Sequence, residues 1–142
     1  PIIVLKKGAN MVLQWKDIYS IGIEEFDIQH KRLFAIYIDL YDAQQKGIAS
    51  AMLDEKLQEM YDYTKYHFTQ EEKLLESAGY PKLEEHIKEH RYYEKHIEDL
   101  IKSSEKGKIM VTLKTIDYLK DWIITHILGS DKEYTAFLTK TK

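Results

Sequence analysis

The stretch His126-Ile-Leu-Gly-Ser-Asp131 closes an apolar run from Leu119 to Leu128, and its reading decides how the last part of the chain folds. On an unbroken α-helix a residue five positions on lies roughly 140° round the axis, so His126 and Asp131 would point apart. Gly129 offers a way out, because a glycine in the left-handed conformation ends a helix without a Cβ penalty. Ser130-Asp-Lys-Glu133 then has the form of a capping box for a short final helix to about Leu138. The expectation is a stop at Gly129, with Asp131 folded back over the helix end toward His126. Taken alone, Asp131 is equally well the first-turn acid of that last helix, favoured by the helix dipole.

Upstream of this stretch the same pattern of apolar stripe and glycine stop recurs. Glu24 to Lys46 carries Phe26, His30, Leu33, Phe34, Tyr37, Leu40 and Tyr41 at helical spacing before Gly47. Ser50 to Ser77 carries Leu53, Leu57, Met60, Tyr61, Thr64, His67, Phe68, Glu71, Leu74 and Leu75 before Ala78-Gly-Tyr-Pro81. Lys82 to Glu105 carries Leu83, His86, Ile87, His90, Tyr93, Ile97, Leu100 and Ile101 before Gly107. Lys108 to Leu128 carries Leu113, Ile116, Leu119, Ile123, His126 and Ile127. Two prolines in the whole chain leave these elements uninterrupted. Four amphipathic helices with short connections predict an all-α, up-down-up-down four-helix bundle with a short C-terminal helix. Residues 15–142 are expected to form that domain, starting with a loop from Trp15 to Gly22. Residues 1–14 are expected to be an arm or linker.

The bulk properties narrow the function. The net charge of −3 argues against nucleic acid as a partner, because such binders carry a basic excess. No apolar run is long enough to span a bilayer, and "PIIVL" is too short for a signal-peptide core. The absence of cysteine excludes disulfides, iron–sulfur clusters and thiolate zinc sites, and it fits a cytoplasmic protein. Any metal must therefore be held by histidine and carboxylates.

Five of the six histidines lie on apolar stripes: His30, His67, His86, His90 and His126. Glu71 lies there too, four residues after His67. One core histidine with a hydrogen-bond partner is commonplace, but a polar group facing a core costs free energy unless satisfied, and here six would each need a separate partner. His67/Glu71 and His86/His90 are four-residue pairs that share a helix face. His30 and His86/His90 fall in the first turns of the first and third helices. His67/Glu71 and His126 fall in the last turns of the second and fourth. With antiparallel neighbours these turns share one end of the bundle, so all six groups sit at one level around one axis. A metal centre requires that coincidence, and bundle stability does not. His96, about 120° from His90 around its helix, reads as a flanking residue.

The combination of DxQH at Asp27 to His30, HFxxEE at His67 to Glu72, GYPxxxxHxxxH at Gly79 to His90 and WxxxHIxxxD at Trp122 to Asp131 resembles the hemerythrin family, in particular its bacterial members. The likeness covers about Trp15 to Leu138. It implies a non-haem centre of two iron ions with a bridging oxo or hydroxo group. His86, His90 and His126 would hold one iron, His30 and His67 the other, and Glu71 and Asp131 would bridge them. One position is then left open, on the iron with two histidines, where dioxygen binds reversibly as a hydroperoxide. Phe68, Trp122, Ile123 and Ile127 would line the oxygen pocket. Few carboxylates among the ligands keep the reduced pair comparatively stable. The implied role is an oxygen carrier, store or sensor, with dioxygen as partner and no enzymatic turnover. A di-iron oxidase or peroxidase, a nitric-oxide-handling enzyme, and a bundle with a purely structural metal such as zinc are the competing readings.

Overall fold

The computed structural model describes residues 14–47, 50–107 and 111–140. Five α-helices account for most of them: α1 (Glu24–Gln45), α2 (Ser50–Ala78), α3 (Leu83–Glu105), α4 (Leu113–His126) and α5 (Lys132–Lys140). Among the described residues there is no strand. α2 packs against α1 and α3, and α4 returns to α1, which closes a four-helix bundle. The expected arm falls almost wholly outside the described residues, as does the expected start of the fourth helix at Lys108. The described part of α4 begins at Leu113, where Thr112 accepts a hydrogen bond from the Thr115 amide and caps the helix.

The ends of the elements follow from local chemistry. After α2, Gly79 takes a φ of 68°. Its amide donates to the Glu76 carbonyl and the Tyr80 amide to the Leu75 carbonyl. This is the paired closure that a left-handed glycine allows, and Pro81 prevents continuation. Before α1, a 3-10 turn at Asp17–Tyr19 leads into a loop held by Asp27. The Ser20 hydroxyl (2.5 Å) and the Ile21 amide (2.9 Å) both donate to the Asp27 carboxylate. Trp15 and Tyr19 pack on Phe34, fastening the loop to the bundle.

The core divides along its length. One part is apolar, built on Leu40, Leu57, Met60, Ile97 and Ile116. Tyr93 crosses it and donates to the Leu119 carbonyl at 2.8 Å, so the adjoining Tyr37 hydroxyl donates to Tyr93. The other part is polar yet sealed: His30, His67, Glu71, His86, His90, His126 and Asp131 are all buried. No helix among the described residues is long and apolar enough to cross a membrane.

The structure corrects one expectation. Gly129 is not left-handed, and the chain does not stop there. Ile127–Asp131 forms a π turn continuous with α4 before it and α5 after it. His126 and Lys132 on either side keep right-handed helical dihedrals. Nor does Ser130 open a capping box, because its hydroxyl donates to Glu89 instead. A stop would strand the terminal carbonyls of one helix and the first amides of the next. A π turn keeps the helix hydrogen-bonded while admitting one extra residue, so residues five apart come to share a face.

Candidate metal centre

That π turn positions Asp131. Its carboxylate returns to the side of the helix that His126 occupies, and Oδ1 lies 3.1 Å from His126 Nε2. The α-helical step puts His67 and Glu71 on one face of α2, with Nε2 and Oε2 3.4 Å apart. The same step stacks His86 and His90 on α3, their ring centroids 4.5 Å apart. His30, from α1, points its Nε2 at that of His67 across 2.9 Å. His90 and His126 meet in the same way across 3.1 Å.

The donor atoms separate into two groups that share carboxylates. His86, His90 and His126 gather around Glu71 Oε1, at 2.7, 3.0 and 3.9 Å. Glu71 Oε2 faces the other way, toward His67. Asp131 mirrors this arrangement: Oδ1 faces His86 (3.4 Å) and His126, while Oδ2 faces His30 (3.4 Å). Each carboxylate thus offers one oxygen to a cluster of three imidazoles and the other to a cluster of two. Within each group, Glu71/His86/His90/His126 and His30/His67/Glu71/Asp131, the ligand atoms lie within 4.8 Å of one another, a spacing that one cation could satisfy.

A metal fits this donor set. Both Asp131 oxygens are buried and lack a hydrogen-bond partner among the described residues, although imidazole nitrogens stand around them. Facing Nε2 atoms gain nothing from each other unless a proton or a cation lies between them. The electrostatics point the same way. Burial would raise the carboxyl of Glu71, but the surrounding histidines hold it well below the usual range, and Asp131 is likewise drawn down. Burial would lower His86, but Asp131 and Glu71 lift it to about 9. His126 also ends well above the ordinary histidine value, whereas burial keeps His67 below it. Two sealed carboxylates are recruiting positive charge, which a divalent cation supplies directly.

Residues outside the apolar stripes hold the rings in place. With Nε2 turned inward, each Nδ1–H is free to donate outward. His67 donates to Gln29 Oε1 (2.5 Å), His90 to Glu72 Oε2 (2.7 Å) and His126 to Glu89 Oε1 (2.9 Å). The Tyr134 hydroxyl donates to Glu71 Oε2 at 2.9 Å. None of these four partners was read from the sequence. Their signal is adjacency: Gln29, Glu72 and Glu89 each neighbour a site residue of their own helix and serve a histidine of the next.

Of the residues expected to line a pocket, Phe68 stacks on His90 (3.7 Å, 3°) and lies 6.0 Å from His67, so it reaches both clusters. Trp122 stacks on His126 at 4.9 Å. Ile123 and Ile127 are buried beside them. His96 stays away from the centre, with its ring 4.8 Å from that of Tyr118.

Comparison with known proteins fits this geometry. A model of the hemerythrin HHE cation binding domain matches residues 21–138. The chain belongs to the hemerythrin family. It is 35% identical over 124 residues to the bacteriohemerythrin of Stenotrophomonas maltophilia, covering 87% of this chain and 79% of that protein. It is 30% identical over 129 residues to the myohemerythrin of Theromyzon tessulatum, covering 88% and 92%. A crystal structure of wild-type hemerythrin superposes with a TM-score of 0.84 at 27% identity, covering 88% of this chain and 96% of that one. The hemerythrin match takes in both carboxylates, all five buried histidines and the π turn between His126 and Asp131.

Proposed function

We propose that this hemerythrin-family chain binds dioxygen reversibly at a pair of iron ions and acts as an oxygen carrier, store or sensor. His86, His90 and His126 would hold one ion and His30 and His67 the other, with Glu71 and Asp131 shared and an oxo or hydroxo group completing the bridge. The observation that carries this reading is the division of each buried carboxylate between the two imidazole clusters. A ferrous pair held there would lend dioxygen two electrons and recover them on release.

The protein's own part is positioning and shielding. Tyr134 fixes Glu71 from outside, which keeps its two oxygens directed at different clusters. The π turn does the same for Asp131. Phe68, Ile123 and Ile127 are fully buried and Trp122 covers His126, so they form the apolar lining that keeps water from the centre. Among the described residues, Glu72 and Glu89, the charged groups against His90 and His126, hold those rings in place, a role that suits binding. The absence of cysteine supports a cytoplasmic setting.

Absorption spectroscopy of the iron-loaded protein tests the reading. Bands that appear under air and vanish under argon through repeated cycles support it. Irreversible bleaching with consumption of a reductant would indicate an enzyme instead. A colourless protein that retains zinc in preference to iron would make the metal structural.

A further inference from the structure

The partners behind the histidines run round the bundle in one direction. α1 lends Gln29 to His67 of α2, α2 lends Glu72 to His90 of α3, and α3 lends Glu89 to His126 of α4. The circuit does not close, because His30 Nδ1 has no hydrogen-bond partner among the described residues. The chemistry changes along the way. In the three-histidine cluster two rings donate to carboxylates. In the two-histidine cluster one ring donates to a neutral amide and the other to no described residue.

Both carboxylates are themselves fixed. Arg91 donates to Glu72 Oε1 at 2.5 Å while His90 takes Oε2. Ser130, inside the π turn, donates to Glu89 Oε1 at 2.7 Å, beside His126. The π turn therefore sets Asp131 on the inside of the helix and secures the support of His126 on the outside. A histidine whose outer N–H is held by a carboxylate is a more basic ligand than one held by an amide, and loss of such a partner typically lowers metal affinity about 10–100-fold.

We infer that Glu72 and Glu89 are positioning residues that make the two metal positions unequal, so that the three-histidine cluster holds its ion more tightly and releases it last. The inference rests on the proposed pair of metal ions. It extends that reading by assigning the asymmetry to the outer partners as well as to the ligand count. The consequence is functional: the ion at the two-histidine cluster, where dioxygen would bind, is the labile one, and Gln29 keeps it so by withholding charge from His67.

Iron release from the loaded, reduced protein to a colorimetric ferrous chelator under argon tests this. The wild-type chain should lose iron in two phases of equal amplitude. Glu89→Gln retains an acceptor for His126 but removes the charge, and it should speed the slow phase about 10–100-fold while leaving the fast phase unchanged. Glu72→Gln should act in the same way through His90. Gln29→Glu should slow the fast phase, a gain that misfolding cannot mimic. A single phase in the wild type, or equal acceleration of both phases in Glu89→Gln, would overturn the inference while leaving the metal pair intact. A wild-type chain that binds fewer than two ions would overturn both.

Discussion

At the scale of single residues, Asp131 separates a metal ligand from a helix-dipole acid. Its carboxylate is fully buried and its oxygens lie within 3.4 Å of three imidazoles, whereas a first-turn acid would face water. Asp131→Asn keeps the shape and removes the charge. Iron retention should fall from two per chain toward one, and oxidation in air should quicken. If Asp131 served only the dipole, the variant would cost no more than about 1 kcal/mol and leave iron content unchanged. His96→Ala is the companion measurement. Its ring packs on Tyr118 outside the centre, so iron content and spectrum should match the parent protein. The buried histidines and Glu71 were legible in the sequence because a polar residue on an apolar stripe stands out. Tyr134 was not, because a fully buried tyrosine on the last helix reads as one more core aromatic; Gln29, Glu72 and Glu89 were not, because each sits off its stripe and its partner belongs to another helix. Tertiary packing decides which helix that is.

At the scale of elements, the four stripes were readable because a period of 3.6 repeats over many turns. The region from Ile127 to Asp131 was not, because periodicity distinguishes only a helix that continues from one that stops. One π turn is a third possibility, and a glycine followed by serine and aspartate looks the same from the sequence in both cases. The two geometries differ in what they ask of Gly129. It has no positive φ, and a Cβ there would meet nothing within 4 Å. Gly129→Ala should therefore be neutral or stabilising by up to about 1 kcal/mol, with iron content unchanged. Gly79→Ala should destabilise by about 1 kcal/mol, because its φ of 68° is costly for any residue with a Cβ. Thermal unfolding of the two variants side by side checks this. A loss at Gly129 as large as that at Gly79 would restore the left-handed stop.

At the scale of the whole molecule, one end of the bundle is an ordinary apolar core and the other is a sealed cluster of charge. The apolar end needs no help. The polar end encloses two carboxylates and five imidazoles, which unfold into water at little cost if no cation binds them. A ligand that binds only the folded state at about a thousandfold excess over its dissociation constant adds about 4 kcal/mol. For a chain of this size, removing it should lower the unfolding midpoint by roughly 10 °C or more. Thermal scans with and without a strong chelator measure this, and an unchanged midpoint would mean that the cluster holds no structural cation. Oxygen uptake tests the function itself most directly. Reduced, iron-loaded protein would be titrated with limiting dioxygen and then purged with argon while an electrode follows free oxygen. The account predicts uptake of one dioxygen for every two irons and near-complete recovery on purging, through repeated cycles. Uptake without recovery, or no uptake by protein that holds both irons, would contradict it.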